Sequence, residues 1–142
     1  MNKEIIIYNE HEIPVIGKKL ADSRDACRIF TFEGSLGAGK TTLVKEMLKQ
    51  CGVSQLVTSP TFTYLNVYQN DKKELFYHFD LYRIARCEDF VAAGFAEYLY
   101  APHGWTIIEW PAVVAPLLKE KVCLCLIDYY DEKRKITIIK PD

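Results

Sequence analysis

Residues 34 to 41 read Gly-Ser-Leu-Gly-Ala-Gly-Lys-Thr, a complete match to the pattern G-x-x-x-x-G-K-[ST]. Its surroundings are those the pattern requires. Cys27 to Glu33 is an alternating, β-prone run. From Thr41 onward the apolar residues Leu43, Val44, Met47, Leu48 and Cys51 recur at helical spacing. A strand, a glycine loop and a helix in that order predict a phosphate-binding loop. The alternative, a glycine-rich turn that merely joins strand to helix, is disfavoured because the motif is complete and correctly flanked.

The residue types explain themselves chemically. Gly34, Gly37 and Gly39 permit backbone conformations closed to residues with a Cβ, so successive N–H groups can converge on phosphate oxygens. Lys40 supplies a cation to the β- and γ-phosphates, and the positive end of the following helix adds to the attraction. The Thr41 hydroxyl is placed to ligate Mg²⁺, and Thr42 offers a second hydroxyl or amide to the α-phosphate.

The rest of the 142-residue chain limits what can accompany such a loop. The length predicts a single domain spanning residues 1–142, able to bury about two thirds of its unfolded surface. With 49% hydrophobic and 26% charged residues the composition is that of an ordinary globular protein. No 18-residue apolar run occurs and Met1 to Tyr8 does not read as a secretory signal, so a cytoplasmic location is expected. A net charge of −1 with no basic stripe argues against a direct grip on nucleic acid. Cys27, Cys51, Cys87, Cys123 and Cys125 lack zinc-ligand spacing and read as small core residues in a reducing compartment.

Periodicity along the chain predicts a strand at Ile5 to Tyr8 and a helix at Ile13 to Ala21. Strands at Phe62 to Gln69 and Glu74 to Leu81 are joined as a hairpin over Asn70 to Lys73. Residues 88 to 100 read as a helix with Val91, Phe95 and Leu99 on one side. A buried strand follows at Trp105 to Trp110, then a short helix at Pro111 to Leu118. A second hairpin joins Val122 to Tyr130 and Lys135 to Ile139 over Asp131 to Arg134. The expected fold is an α/β P-loop NTPase-like mixed sheet, parallel around the nucleotide and antiparallel at its margin, with helices on both faces.

Two acids are candidates for the metal and the attacking water. Glu109 closes the apolar run Trp105 to Glu109, where P-loop enzymes carry an acid beside the loop strand; the competing reading is a carboxylate capping the turn before Pro111. Asp80 lies in Tyr77-His78-Phe79-Asp80-Leu81-Tyr82-Arg83, where Phe76, His78 and Asp80 alternate onto one face. Asp80, His78 and Arg83 together resemble a site, although an Asp and an Arg three apart also make routine surface pairs. Thr58 to Thr63 carries four hydroxyls, at Thr58, Ser59, Thr61 and Thr63, and reads either as a switch-like segment over the γ-phosphate or as a plain loop.

Taken in order and spacing, Gly34 to Thr42, Ser59 to Phe62, His78 to Arg83 and Glu109 to Pro111 resemble the TsaE family over roughly residues 10 to 139. These are small bacterial P-loop ATPases of tRNA threonylcarbamoyladenosine biosynthesis. The resemblance implies a subunit that binds and hydrolyses ATP with Mg²⁺, acting with TsaD and TsaB proteins to form N6-threonylcarbamoyladenosine at position 37 of tRNA. It would not transfer the group itself, and it would meet tRNA only through the complex. It implies nucleotide contacts at Gly37, Ala38, Gly39, Lys40, Thr41 and Thr42, with Mg²⁺ at Thr41 and Glu109. Lys40, Asp80 and Glu109 would be catalytic, and adenine-side contacts would fall near Glu10 and Arg134. Trp110 matches an aromatic position beside the acid, and Ser35 departs from an acid expected there. No N-K-x-D segment for guanine occurs. The other classes left open are a small P-loop kinase, with Arg83 and Arg86 recruited to a lid, and a nucleotide-dependent binding module with negligible hydrolysis.

Overall fold

Four consecutive residues of the strand that feeds the loop, Ile29-Phe30-Thr31-Phe32, are buried, as a strand covered on both faces requires. In the computed structural model, which describes residues 2–142, this strand is β2 (Ile29–Glu33), in the middle of a seven-stranded sheet. We number the others β1 (Asn2–Tyr8), β3 (Leu65–Gln69), β4 (Leu75–Asp80), β5 (Gly104–Glu109), β6 (Val122–Tyr130) and β7 (Lys133–Lys140). Their spatial order is β1-β7-β6-β2-β5-β4-β3. The pairs β6–β2, β2–β5 and β5–β4 are parallel, whereas β3–β4, β6–β7 and β1–β7 are antiparallel. The mixed sheet expected from the sequence is therefore the one observed.

Side chains alternate across this sheet into two cores. On one face Phe30, Phe32, Phe76 and Ile107 pack with Ile16 and Leu20 of α1 (Ile13–Asp22) and with Leu43, Val44, Met47 and Leu48 of α2 (Lys40–Gln50). On the other, Ile29, Tyr77, Phe79 and Ile108 meet Phe90 of α3 (Cys87–Ala92) and Val114 of a 3-10 segment at Pro111–Leu117. Phe79 sits among Phe90, Phe95 and Tyr98, with ring centroids 5.3, 5.4 and 6.3 Å away. Gly17 lets α1 lie against α2, since a Cβ there would come within 3.1 Å of the Glu46 carbonyl carbon.

Several boundaries differ from the periodicity, each for a local backbone reason. β2 starts at Ile29 rather than Cys27, because the Cys27 amide bonds back to Ser23. β3 starts at Leu65 rather than Phe62: Tyr64 has φ 66° and its amide closes a turn onto Pro60. The helix expected over 88 to 100 is broken. α3 stops at Ala92, Gly94 takes φ 82°, and a 3-10 turn covers Phe95–Tyr98. The break shifts the apolar face, so Phe90 is buried and Val91 is exposed. The second hairpin is tighter than expected, with Tyr130 paired to Lys133 and Arg134 already in β7. Of the five cysteines four are buried; Cys87 is half-buried.

Asn70 anchors the first hairpin to the end of α2. Its Nδ2 donates to the carbonyl of Cys51 (2.8 Å) and to Glu74 Oε1 (2.7 Å), while its Oδ1 accepts from the amides of Lys72 and Glu74. Donation from Asn70 is the main cause that holds the Glu74 carboxyl below its usual 4.5, with Arg24 adding to it. A carboxyl with a lowered folded value binds fewer protons than in the unfolded chain, so its contribution is present above 4.5 and lost as pH falls through the folded value. Asn70→Ala should lower stability by about 1–3 kcal/mol and flatten the pH dependence below 4.5; urea denaturation at stepped pH measures both.

Candidate functional site at the carboxyl end of the parallel strands

In an open α/β sheet, ligands bind beyond the carboxyl ends of the parallel strands. Here those ends carry Glu33 on β2, Glu109 on β5 and Asp80 on β4, with Phe32 and Asp80 both in register with Glu109. The loop from β2 into α2 wraps this edge. Gly34 is required by proximity, because a Cβ there would lie 2.6 Å from the carbonyl oxygen of Ile127. Gly37 and Gly39 take φ of 79° and 104°, the left-handed region that side chains disfavour. Gly39 then caps α2, whose first residues are Lys40 and Thr41.

Lys40 is buried and its ammonium donates to the carbonyls of Gly34 and Ser35. It also lies 4.0 Å from the centroid of the Trp110 ring. Burial pulls this ammonium below its usual 10.5, and the charges of Glu109 and Asp80 oppose that shift. Trp110 holds φ 59° and ψ 59°, a conformation that costs a non-glycine residue about 1–3 kcal/mol, and its indole packs against Tyr82 with centroids 4.9 Å apart.

The two acids occupy different hydrogen-bond settings. Glu109, 2% exposed, accepts from the Thr41 hydroxyl at Oε1 (2.7 Å), and its Oε2 lies 2.6 Å from His78 Nε2. Asp80 accepts from the Tyr82 amide at Oδ1 (3.1 Å) and from the Ser59 hydroxyl at Oδ2 (3.2 Å). Ser59 in turn shares a hydrogen bond with Thr61 (3.0 Å), so the 58 to 63 segment is tied to the end of β4. Phe62, beyond it, is 81% exposed and lies under the Arg83 guanidinium at 5.2 Å.

Two hollows flank the loop and share Gly37, Gly39 and Thr42. One is lined by Lys40, Thr41, Ser59, Thr61, Asp80, Arg83, Glu109 and Trp110. The other is lined by Tyr8, Asn9, Glu10, Ile13, Ala38, Glu132, Lys133 and Arg134. Arg134 donates from Nε to the Ala38 carbonyl (3.2 Å) and stacks over Tyr129 at 4.2 Å. An amide-rich end carrying Lys40 and Arg83 beside two carboxylates and a half-apolar end joined by a glycine loop suit a phosphorylated nucleoside, with a metal ion, lying across the loop.

The structure thus gathers Lys40, Thr41, Asp80 and Glu109 in one hollow and places Glu10 and Arg134 with Ala38 in the other. Arg86 lies elsewhere, paired with Asp89 (3.3 Å) and Glu88 (3.9 Å) on an exposed turn. The sequence reading missed Tyr8, Asn9 and Ile13 as walls of the second hollow. No local pattern marks them, since only the β1–β7 pairing brings them beside Arg134. Ser59→Ala should remove one tie on the 58 to 63 segment, worth about 1 kcal/mol or roughly fivefold in local opening. Amide exchange at Thr61 to Tyr64 should rise by that factor with the global unfolding midpoint nearly unchanged.

Comparison with known proteins follows the same lines. Residues 7–136 match the model of the family described as "Threonylcarbamoyl adenosine biosynthesis protein TsaE". A protein of Haemophilus influenzae named tRNA threonylcarbamoyladenosine biosynthesis protein TsaE is 37% identical over 139 residues, spanning 94% of this chain and 86% of its own length. A Treponema pallidum protein of the same name is 38% identical over 125 residues, spanning 87% of each. The crystal structure of Bacillus subtilis YdiB superposes with a TM-score of 0.76 at 27% identity, covering 98% of this chain and 86% of that one.

Proposed function

The chain belongs to the TsaE family, and from that premise we propose that it binds and hydrolyses ATP with Mg²⁺ in the formation of N6-threonylcarbamoyladenosine at position 37 of tRNA. In this reading it works beside TsaD and TsaB proteins in the cytoplasm, as a single ATPase domain over residues 1–142, and does not transfer the group itself. A net charge of −1 favours contact with tRNA through the complex rather than directly. Among the described residues no helix is long and apolar enough to cross a membrane.

The observation that carries the reading is the convergence of Lys40, Thr41, Asp80 and Glu109 on one hollow beyond the parallel strands. The donor set there is hard oxygen, a hydroxyl and two carboxylates, which suits Mg²⁺. Among the described residues no group of three or more His, Cys, Asp or Glu could hold a metal unaided, so phosphate oxygens would complete its shell. Bound there, Mg²⁺ supplies neutralisation of charge on the β- and γ-phosphates.

Each side chain then has a task. Lys40 leaves the carbonyls of Gly34 and Ser35 for the β- and γ-phosphates, exchanging neutral acceptors for charged ones. The amides around Gly37 to Thr42 hold the phosphate chain. Thr41 donates its hydroxyl hydrogen bond to Glu109, which turns the Thr41 oxygen lone pairs toward the metal position. Asp80, held by Ser59 and the Tyr82 amide, or Glu109 orients the attacking water. Glu10 and Arg134 border the adenine end. A kinase lid finds less support, because Arg86 is engaged with Glu88 and Asp89.

The test is ATP hydrolysis by the purified protein, alone and with TsaD and TsaB proteins. Stimulation by the pair is expected. Lys40→Ala should abolish tight ATP binding, and Glu109→Ala should lower turnover by roughly 10²–10³-fold while ATP still binds. Parent-rate hydrolysis by Glu109→Ala in the presence of the partners would overturn the assignment.

A further inference from the structure

His78 is fully enclosed and projects from the same face of β4 as Phe76 and Asp80. Its Nε2 meets Glu109 Oε2 at 2.6 Å, while its Nδ1 is buried with no hydrogen-bond partner among the described residues. A histidine that only filled the core would gain nothing from this arrangement. One nitrogen is left bare in an apolar setting, and the other is committed to the carboxylate that also receives Thr41.

The partners dictate the tautomer. An ionised carboxylate can only accept, so the shared hydrogen belongs to Nε2. A second hydrogen on Nδ1 would face no acceptor, whereas a bare lone pair there is the lesser penalty. The ring is thereby a one-sided donor aimed at Glu109. Without it Oε2 would lose its donor inside the protein, and the carboxylate could rotate toward solvent and the phosphates.

We infer that His78 is a positioning residue for the nucleotide-bound metal: Nε2–H fixes the Glu109 carboxylate so that Oε1 accepts the hydrogen bond of the Thr41 hydroxyl and the Thr41 oxygen faces the metal. The inference rests on the reading of Thr41 and Glu109 as the metal side of the site. No proton changes owner in this role. Outer partners of metal ligands typically carry about 10–100-fold of metal affinity.

Two measurements separate this role from plain packing and from the proposed function. In protein labelled with ¹⁵N-histidine and free of nucleotide, one of the three rings should show a proton on Nε2 and none on Nδ1. His78→Gln should remove that signal, and Glu109→Gln should shift it. A His78 ring protonated at Nδ1 instead, or one indifferent to Glu109→Gln, overturns the inference whether or not the protein hydrolyses ATP.

The second measurement is the Mg²⁺ concentration needed for tight binding of a fluorescent ATP analogue. His78→Leu should raise it about 10-fold or more with metal-free binding of the analogue little changed, and His78→Gln, which keeps an N–H donor at a similar reach, should restore most of the loss. An unchanged Mg²⁺ requirement in His78→Leu, or a Gln variant as impaired as the Leu variant, counts against the role. If the Leu variant does not fold, the tautomer and the Gln variant still decide. A parent protein that binds no ATP would sink the proposed function alone, because the ring tautomer is read without nucleotide.

Discussion

A single buried carboxylate, Glu109, joins three elements that the chain supplies far apart. It stands on β5, receives a hydroxyl from the start of α2 and meets an imidazole on β4. A carboxylate this deeply enclosed is costly to ionise unless its oxygens are satisfied. Both are, and each bond crosses an element boundary, so solvating the charge and docking the helix onto the sheet are one event. Breaking the bond to His78 leaves a buried donor facing nothing, which is the expensive kind of loss.

Lys40 illustrates the complementary arrangement on the cationic side. Its ammonium is tucked among two loop carbonyls and the Trp110 ring, none of which carries a full negative charge. That setting weakens the hold of the site on its own lysine and leaves the cation ready for a stronger anionic acceptor. The strained backbone of Trp110 is sustained by packing against Tyr82 and Lys40. In the proposed reading, departure of Lys40 to the phosphates removes one of those supports, which would couple nucleotide binding to the indole position through one contact.

Much of this is legible in the sequence alone. The loop announces itself by residue type, and β2, β4, β5 and α2 follow from periodicity because each buries a long apolar set. Asp80 and Glu109 were visible as polar residues ending apolar strands. The breaks were harder to read. Gly94 interrupts a run whose spacing of four looks helical, and Tyr64 sets a boundary through a positive φ that no tyrosine advertises. His78 reads from the sequence as one of a cluster with Asp80 and Arg83, yet its partner is Glu109, 31 positions away. Only the parallel pairing of β4 with β5, in which Asp80 faces Glu109, brings them together. Tyr8, Asn9 and Ile13 in the wall of the second hollow were illegible for the same reason, since their place depends on which strands become neighbours.

That second hollow is assembled from the earliest and latest strands of the fold, Tyr8 at the end of β1 and Arg134 near the start of β7. β1 touches the sheet only through β7, so it has no edge to join until residues 133 to 140 exist. During synthesis the glycine loop and α2 leave the ribosome almost a hundred residues before the wall opposite them. A nascent chain therefore carries the glycine loop with half of its second hollow missing, and closing the longest sequence separation in the molecule is what completes the site proposed for the base.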